Sequence, residues 1–425
     1  MDKQSQKILN YTILVAALGY FVDIYDLILF NVVKKESLSA LGLTGESNEI
    51  FLFNCQMAGM LFGGILWGVL GDKKGRLSVL FGSILMYSLA NISNAFVQTL
   101  DSYAGVRFIA GLGLAGELGA GITLVVETMS IKHRGYGTML IVTFGALGAV
   151  FASLVGHEGT VVAAFLNGHL GYSFVGWQMA YLVGGSLGLI LLALRIGTFE
   201  SLMYLQTKKE GIRTGDLVGL FKNKKLRLKY FYCILIGLPV WFIVGILIAF
   251  CVPISKELGI ADINTATAIM YTYIGLSGGD LVSGFLSQYF KSRKRVIIYF
   301  LISSFLLTTF YLFPLSTSTD WFYWMCLLLG AATGYWALFV TMTSESFGTN
   351  IRSTVTNTVP NFVRGAVIPL TLFYKTLFAG MGDTINHPRI VAAGTVGVTA
   401  FALAWWGISR LKDSFHEDLN YVETL

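Results

Sequence analysis

The chain has 425 residues, of which 55% are hydrophobic and only 13% are charged, and its mean hydropathy is +0.67. These values exclude a soluble protein and indicate a membrane protein with many spans. The formal net charge is +6, but the segment from Arg195 to Lys229 holds nine basic and three acidic residues and so accounts for the whole excess, and we expect no nucleic-acid binding.

Twelve apolar runs are each long enough to cross a bilayer. They fall at roughly 9–33, 50–70, 77–98, 102–129, 136–156, 177–197, 229–253, 264–289, 296–315, 320–343, 358–380 and 389–410. We therefore expect an all-α membrane protein with twelve transmembrane helices, numbered helix 1 to helix 12. The first run is too long for a signal peptide, and no cleavage site of small residues follows it, so we expect it to remain in the mature chain.

The basic residues lie in alternate connections. The connections after helices 2, 4, 6, 8 and 10 carry lysine or arginine, whereas acids outnumber bases in the connections 34–49 and 254–263. This bias predicts cytoplasmic N- and C-termini and a place in a bacterial inner (plasma) membrane. The basic connection between helices 6 and 7 is expected to lie along anionic headgroups of the bilayer.

Helix 1 contains two acids, Asp23 and Asp26, near the middle of the membrane. An ionisable group at this depth is costly unless it lines a water-filled cavity or finds a partner. The spacing of three residues places both carboxylates on one helical face, where their mutual repulsion favours a proton on one of them. We therefore predict a proton site; the structural alternative is a pair at a helix bend, satisfied by neighbouring backbone groups.

A short charged turn joins helices 2 and 3, and it reads Gly71-Asp72-Lys73-Lys74-Gly75-Arg76. Because so few residues connect two spans, helices 2 and 3 are expected to be antiparallel neighbours, with the charges at the boundary between lipid and water. The alternative is that the turn only sets the topology.

Helix 4 carries Arg107 in its outer half and Glu117 near the middle of the membrane, within a glycine-rich stretch that allows close helix packing. We expect Arg107 to neutralise a carboxylate of helix 1. Protonation of that carboxylate would then release the arginine and couple proton binding to rearrangement. The alternative is that Arg107 and Glu117 form a packing pair.

An internal repeat divides the chain into two halves. Glu127 and Arg134 at the end of helix 4 are seven residues apart, as are Glu345 and Arg352 at the end of helix 10, at an offset of 218. Arg76 corresponds to Arg293 at an offset of 217. We predict a first six-helix bundle over 1–198, a basic cytoplasmic linker over 199–228 and a second six-helix bundle over 229–425.

The second half supplies cations. Arg364 and Lys375 in helix 11 are eleven residues apart and therefore lie about 20° apart around the helix axis. Two cations on one face predict a site for an anion, to which Asn357 and Asn361 would add polar contacts. Two alternatives remain open: Lys375 extends to the outer interface, or Asp280 of helix 8 pairs with either cation. Aromatic residues are expected either to line the cavity or to pack, and they include Tyr25, Tyr271, Tyr273, Tyr335 and Trp336.

The charged turn, with Gly64 and Gly68 upstream, resembles the loop between helices 2 and 3 of the major facilitator superfamily. This resemblance implies a twelve-helix carrier whose charged residues pair with a neighbouring helix end and hold a cytoplasmic gate closed. The gate residues would be Asp72, Lys73, Gly75, Arg76, Glu127, Arg134, Glu345 and Arg352.

Helix 1 and the spacing of Arg107 and Glu117 resemble the phosphate and metabolite proton-symporter branches of that superfamily, and this implies that Asp23 or Asp26 and Glu117 handle the proton. The end of helix 6, from Arg195 to Ser201, resembles a signature of the sugar-porter and metabolite-symporter branches. Helix 7 contains no acid, and a leucine follows Glu117 where the phosphate branch has a tyrosine, so phosphate is not the expected substrate.

These patterns predict a proton-coupled symporter that imports a small anionic organic solute, such as a carboxylate or polycarboxylate, by alternating access. Its partners would be this solute, protons and the bilayer, and we expect a monomer. Alternatives are a proton-independent facilitator, a proton-antiport exporter or a transport-dead sensor. We expect no enzyme, cofactor or metal site, because no nucleophile elbow, phosphate-binding loop or metal triad appears and the four cysteines lie in apolar runs.

Overall fold

A computed structural model describes residues 3–129, 134–157, 159, 164, 174–196, 214–382, 385–415 and 421–424. Within these ranges the chain is helical and contains no strand, so the predicted all-α class is confirmed. The helices are α1 (Lys3–Ala40), α2 (Glu46–Lys74), α3 (Arg76–Asn94), α4a (Leu100–Leu114), α4b (Glu117–Thr128), α5 (Arg134–His157), α6 (Gly176–Leu194), α7a (Lys224–Phe242), α7b (Cys251–Glu257), α8 (Thr265–Phe290), α9 (Arg293–Leu312), α10a (Thr319–Thr333), α10b (Trp336–Glu345), α11a (Arg352–Gly365), α11b (Val367–Met381) and α12 (Pro388–Arg410).

Each predicted apolar run corresponds to one helix or to one broken helix. Eleven of these helices, in the part of the chain that the structure describes, are long and apolar enough to cross a membrane. The twelfth is α8, whose 26 residues also suffice to span a bilayer but include many glycine, serine and threonine residues besides Asp280. Its lower apolarity fits its position, because α8 contributes to the central cavity described below.

Most helices extend beyond the apolar runs, because a run marks only the part of a helix that needs an apolar surface. α1, for example, continues from the predicted end at residue 33 to Ala40. Several helices begin at a side chain that accepts a backbone N–H of the first turn, as is usual at helix N-termini. These caps are Thr99 of α4a, Asn264 of α8, Ser292 of α9 and Ser318 of α10a.

Four spans are interrupted inside the bundle. α4 and α10 break between their a and b segments, α11 breaks at Ala366, and a π-helical segment, Ile243–Ile248, separates α7a from α7b. Non-helical backbone at membrane depth is tolerated only where protein covers it or where it lines a cavity. The breaks adjoin residues of interest, since Glu117 and Trp336 each begin the helix that follows a break.

The turn between α2 and α3 is shorter than predicted. Residues 71–74 continue α2, α3 begins at Arg76, and Gly75 alone forms the connection. Gly75 has φ 103° and ψ 154°, a backbone conformation that is essentially restricted to glycine. This single residue reverses the chain and brings Asp72 and Arg76 together.

The two halves meet along two helix pairs: α2 packs on α11a, and α5 packs on α8. Glycines on α2 permit the close approach, because a Cβ atom at Gly64 would lie 2.8 Å from Asn361 Cβ and one at Gly68 would lie 3.1 Å from Thr354 Cα. The division into bundles at 1–198 and 229–425 stays a prediction. Within the predicted linker, a short helix (Leu217–Lys222) precedes α7a, which begins at Lys224 rather than at residue 229.

We expect Gly75→Ala to lower the free energy of unfolding by about 1–3 kcal/mol, because alanine is strained at this φ and ψ. The measurement is the melting temperature of the detergent-purified protein. Gly105→Ala is the matched control, since Gly105 is an exposed residue of α4a with no neighbouring heavy atom within 4 Å of an added Cβ. Equal melting temperatures for the two variants would contradict the prediction.

Candidate functional site

A small cavity lies between the two halves, near the middle of the bundle. Its volume is about 20 Å³, roughly enough for one water molecule. Helices α1 and α5 of the first half and α7a, α8, α10b and α11a of the second half contribute to it. The lining residues are Tyr20, Ile24, Val142, Ala146, Val240, Trp241, Val244, Tyr273, Leu276, Trp336 and Arg364.

Arg364 is the one charged residue in this lining. Its guanidinium lies between the rings of Trp241 and Trp336, 5.7 and 5.9 Å from their centroids. It donates to Asn361 Oδ1 at 3.2 Å and to the hydroxyl of Tyr20 at 3.4 Å. Trp336 Nε1 also donates to that hydroxyl, at 3.2 Å. The result is a buried cation with aromatic walls, which suits a planar anionic group.

The two acids of α1 are completely buried, and their four carboxylate oxygens have no hydrogen-bond donor among the residues that the structure describes. Asp23 lies within electrostatic range of Arg364 and of Glu117. Asp26 lies within electrostatic range of Asp23 and Arg107. Arg364 thus acts on Asp23, and Arg107 acts on Asp26.

The predicted role of Arg107 as a direct partner of a helix 1 carboxylate needs correction. Arg107 donates to Gln56 Oε1 and stacks on the ring of Phe30, 4.9 Å from its centroid. The alternative pairing of Arg107 with Glu117 is also wrong, because Glu117 forms a buried ion pair with Arg195. Arg195 follows the last turn of α6 and was absent from the predicted site. Its place in the sequence signature at the end of helix 6 was the only signal that pointed to it.

Several predicted substrate residues lie away from the cavity. Lys375 is at the outer surface, where Nζ donates to Ser47 Oγ at 3.2 Å, so the open alternative of an interfacial lysine is the correct one. Asp280 pairs with neither cation; it accepts the backbone N–H of Ala337 at 3.0 Å, in the first turn of α10b.

Two predicted aromatic residues are packing residues. Tyr25 donates to Ala180 O at 2.8 Å, and Tyr271 stacks on Tyr323 with ring centroids 5.5 Å apart.

Asn357 and Asn361 lie at the interface of the halves, and Asn361 Nδ2 donates to Ala115 O at the break of α4. The lining residues that the sequence did not single out, chiefly Tyr20 and Trp241, stand in apolar runs where nothing distinguishes a cavity residue from a packed one.

The halves are joined at the face that holds Gly75, here called the inner face. Asp72 lies at the N-terminus of α11a and accepts the backbone N–H groups of Ser353 and Thr354 at 3.2 and 2.8 Å, together with the Thr354 hydroxyl at 2.6 Å. A carboxylate at a helix N-terminus satisfies N–H groups that lack a partner in the helix and interacts favourably with the helix dipole. Arg76 Nη1 lies 3.4 Å from Asp72 and holds it in place.

Glu127 links two arginines, one from each half. Its Oε1 atom lies 2.8 Å from Arg76 Nη2 and 3.5 Å from Arg352 Nη1. In the second half, the repeat-related pair Arg293 and Glu345 is 3.2 Å apart. The side chain of Arg134 lies outside the described residues, and Lys73 is exposed at the end of α2.

The opposite, outer face is closed as well. Lys34 of α1 is buried, and its Nζ atom donates to Ala249 O of the second half at 2.9 Å and lies 3.0 Å from Glu49. Arg389 of α12 bridges Glu257 at 3.1 Å and Glu46 of the first half at 3.4 Å. With contacts across both faces and a cavity of about 20 Å³, this conformation is occluded.

Comparison with known proteins places these features in context. The Major Facilitator Superfamily model matches residues 16–370. The chain is 31% identical to the niacin transporter NiaP of Acinetobacter baylyi over 197 residues, which are 46% of this chain and 42% of that protein. It is 25% identical to a probable 4-methylmuconolactone transporter of Cupriavidus pinatubonensis over 406 residues, 93% of this chain and 89% of that protein. The solved structure of the proton:xylose symporter XylE bound to 6-bromo-6-deoxy-D-glucose shares the fold, with a TM-score of 0.72 over 98% of both chains at 16% identity.

We expect Asp72→Asn to open the inner face, because it removes the charge that stabilises the N-terminus of α11a while keeping the shape of the side chain. Asn357 packs between α2 and α4b and is buried in this conformation. A cysteine introduced at this position, in a protein without the native cysteines, therefore becomes accessible when the inner face opens. Its labelling by a maleimide from the inner side should rise several-fold in inverted vesicles.

Asp101→Asn is the control, since Asp101 is an exposed acid in the first turn of α4a on the outer side. It should leave the labelling rate unchanged. Equal labelling of the Asp72 variant and the unsubstituted background would show that Asp72 does not hold the inner face closed.

Proposed function

The chain belongs to the major facilitator superfamily, and from this premise we propose that it is a proton-coupled symporter that imports a small organic acid. The transport cycle alternates access between the two halves, 1–198 and 229–425. The protein works as a monomer in the bacterial inner membrane with both termini in the cytoplasm, in keeping with the basic residues of its alternate connections.

The observation that carries this proposal is the position of Arg364. Its guanidinium is buried at the boundary between the halves and has no carboxylate within hydrogen-bonding distance among the described residues. A buried arginine in such a position is costly unless an anion can approach it. A substrate carboxylate would supply that anion and accept two parallel N–H bonds from the planar guanidinium.

The aromatic walls favour a flat substrate with one carboxylate. Trp241, Trp336 and Tyr20 surround the guanidinium and offer ring faces on which a planar ring can stack. NiaP is named for niacin, a ring that bears one carboxylate, and this supports the same substrate class here. A polycarboxylate fits less well, because Lys375 lies at the surface and leaves a single cation in the lining.

Asp23 provides the coupling to protons. With an empty site, Asp23 as carboxylate and Arg364 as cation balance each other, because they lie within electrostatic range. When substrate is bound, its carboxylate pairs with the Arg364 cation. Asp23 must then bind a proton, because a second carboxylate would leave the cavity with a net negative charge. Only these two states keep the occluded cavity neutral, and a charged cavity within the membrane is costly. Substrate and proton therefore cross together, and the inward proton gradient drives import.

The test is pH-gradient-driven uptake into liposomes that contain the purified protein, over niacin, benzoate, 4-methylmuconolactone, citrate and xylose. We expect accumulation of the ring-bearing monocarboxylates. Arg364→Lys loses the planar pair of donors, which corresponds to about 1.5–3 kcal/mol and hence to a KM about 10- to 100-fold higher.

Asp23→Asn mimics the protonated acid, so the loaded carrier stays neutral while the empty one gains a positive charge. This variant should exchange substrate at equal pH and lose gradient-driven accumulation. Lys375→Met serves as the matched control for the loss of a cation in helix 11 and should transport normally. Uptake that ignores the pH gradient in the unsubstituted protein would refute proton coupling.

A further inference from the structure

The first bundle contains a polar cluster of its own, apart from the central cavity. Along α1, the residues Gly19, Asp23 and Asp26 follow one another at spacings of four and three residues and so share one helical face. A Cβ atom at Gly19 would overlap the carboxylate of Glu117, which therefore lies against α1 at this level. Three buried carboxylates, Glu117, Asp23 and Asp26, thus stand in a row about one helical turn apart.

Tyr87 of α3 lies beside this row. Its side chain is completely buried, and its hydroxyl has no hydrogen-bond partner in the described part of the chain. The hydroxyl is within electrostatic range of all three carboxylates and of Arg195. A buried hydroxyl without a partner costs free energy, so its position among three acids calls for an explanation.

Glycines on the surrounding helices make room for the tyrosine. A Cβ atom at Gly188 of α6 would lie 3.0 Å from the ring of Tyr87, and one at Gly184, a turn earlier, would overlap the carboxylate of Asp26. The Tyr87 ring and the Asp26 carboxylate are therefore adjacent along the same face of α6. On the opposite side, Gly113 of α4a approaches the backbone of Tyr87.

We propose that the Tyr87 hydroxyl relays the transported proton between the acids of α1 and Glu117. In this conformation the hydroxyl contacts none of the three carboxyl groups, so each step begins with a movement of the Tyr87 side chain into hydrogen-bonding distance. The hydroxyl then gives its proton to a Glu117 oxygen and takes one from the carboxyl group of Asp23 or Asp26. Tyr87 is neutral before and after the step, one O–H bond breaks as another forms at its oxygen, and no other reactant is needed. This inference rests on the proposed proton coupling.

The relay gives the proton a route that differs from that of the substrate. The substrate passes between the halves at Arg364, whereas the proton moves within the first bundle, with Asp23 as the group that belongs to both routes. The ion pair of Glu117 with Arg195 forms the inner end, because Arg195 follows the last residue of α6. Release on the inner side requires only that Arg195 compensates the Glu117 carboxylate again once its proton has left.

Tyr87→Phe tests the relay, since it removes the hydroxyl and keeps the ring. We expect pH-gradient-driven accumulation of niacin to fall by about 100-fold, the low end of the contribution of a positioned proton-transfer group. Exchange at equal pH should persist, because it requires no net proton release. Proton uptake into the liposomes, followed with a trapped pH dye, should fall together with accumulation.

Tyr311→Phe is the matched control, because Tyr311 is an equally buried tyrosine of the second half whose hydroxyl donates to Leu247 O. It should keep both accumulation and exchange. Glu117→Gln is a second test that leaves Tyr87 in place. This variant should also lose pH-gradient-driven accumulation and keep exchange at equal pH.

Normal accumulation by Tyr87→Phe, or equal loss of exchange and accumulation, would overturn the relay. Normal coupling in Glu117→Gln would overturn it as well. Failure of the proposed function is distinguishable, because it would appear as gradient-independent uptake in the unsubstituted protein.

Discussion

A charge inside a membrane must be balanced by another charge or by a proton, and this constraint governs the arrangement of the whole molecule. Four buried arginines form ion pairs in the bundle: Arg76 and Arg352 with Glu127, Arg195 with Glu117, and Arg293 with Glu345. Arg107 and Arg364 are different, since Arg107 bonds to Gln56 and the hydrogen-bond partners of Arg364 are a tyrosine and an asparagine. Of these two, only Arg364 lines the central cavity.

The same constraint applies to the contacts across the two faces. At the inner face, Asp72 of one half accepts N–H groups at the helix N-terminus of the other, so that this contact satisfies both a buried carboxylate and N–H groups without a partner in the helix. At the outer face, Lys34 reaches a backbone carbonyl of the second half at the end of the π-helical segment. Neither contact uses an apolar surface alone, so water can replace either one. The proposed transport cycle relies on contacts of this exchangeable kind.

The proposed proton and substrate routes share a single residue. Asp23 lies within electrostatic range of Arg364 on one side and of Glu117 on the other. In the proposed mechanism, binding in the central cavity therefore acts on the first bundle through this one carboxylate, without a conformational signal over a long distance. Among the described residues of the second half there is no corresponding row of acids, and Asp280 accepts the backbone N–H of Ala337 in the first turn of α10b. The two halves share an architecture and differ in chemistry.

The sequence by itself determined the twelve spans and the identity of the buried charged residues, because apolar length and the cost of buried charge are local properties that can be read along one chain. The division into two repeated halves stays a prediction. It also indicated Arg364 as a site residue and, through family resemblance, the charged turn that ends at Arg76. Only the tertiary structure decided which charges meet. Arg107 bonds to Gln56, Glu117 to Arg195 and Lys375 to Ser47, and none of these pairs lies within one helix. Partners on different helices depend on how each helix is rotated and how deeply it is placed, and these are set by packing among many helices rather than by the spacing of residues along any one of them.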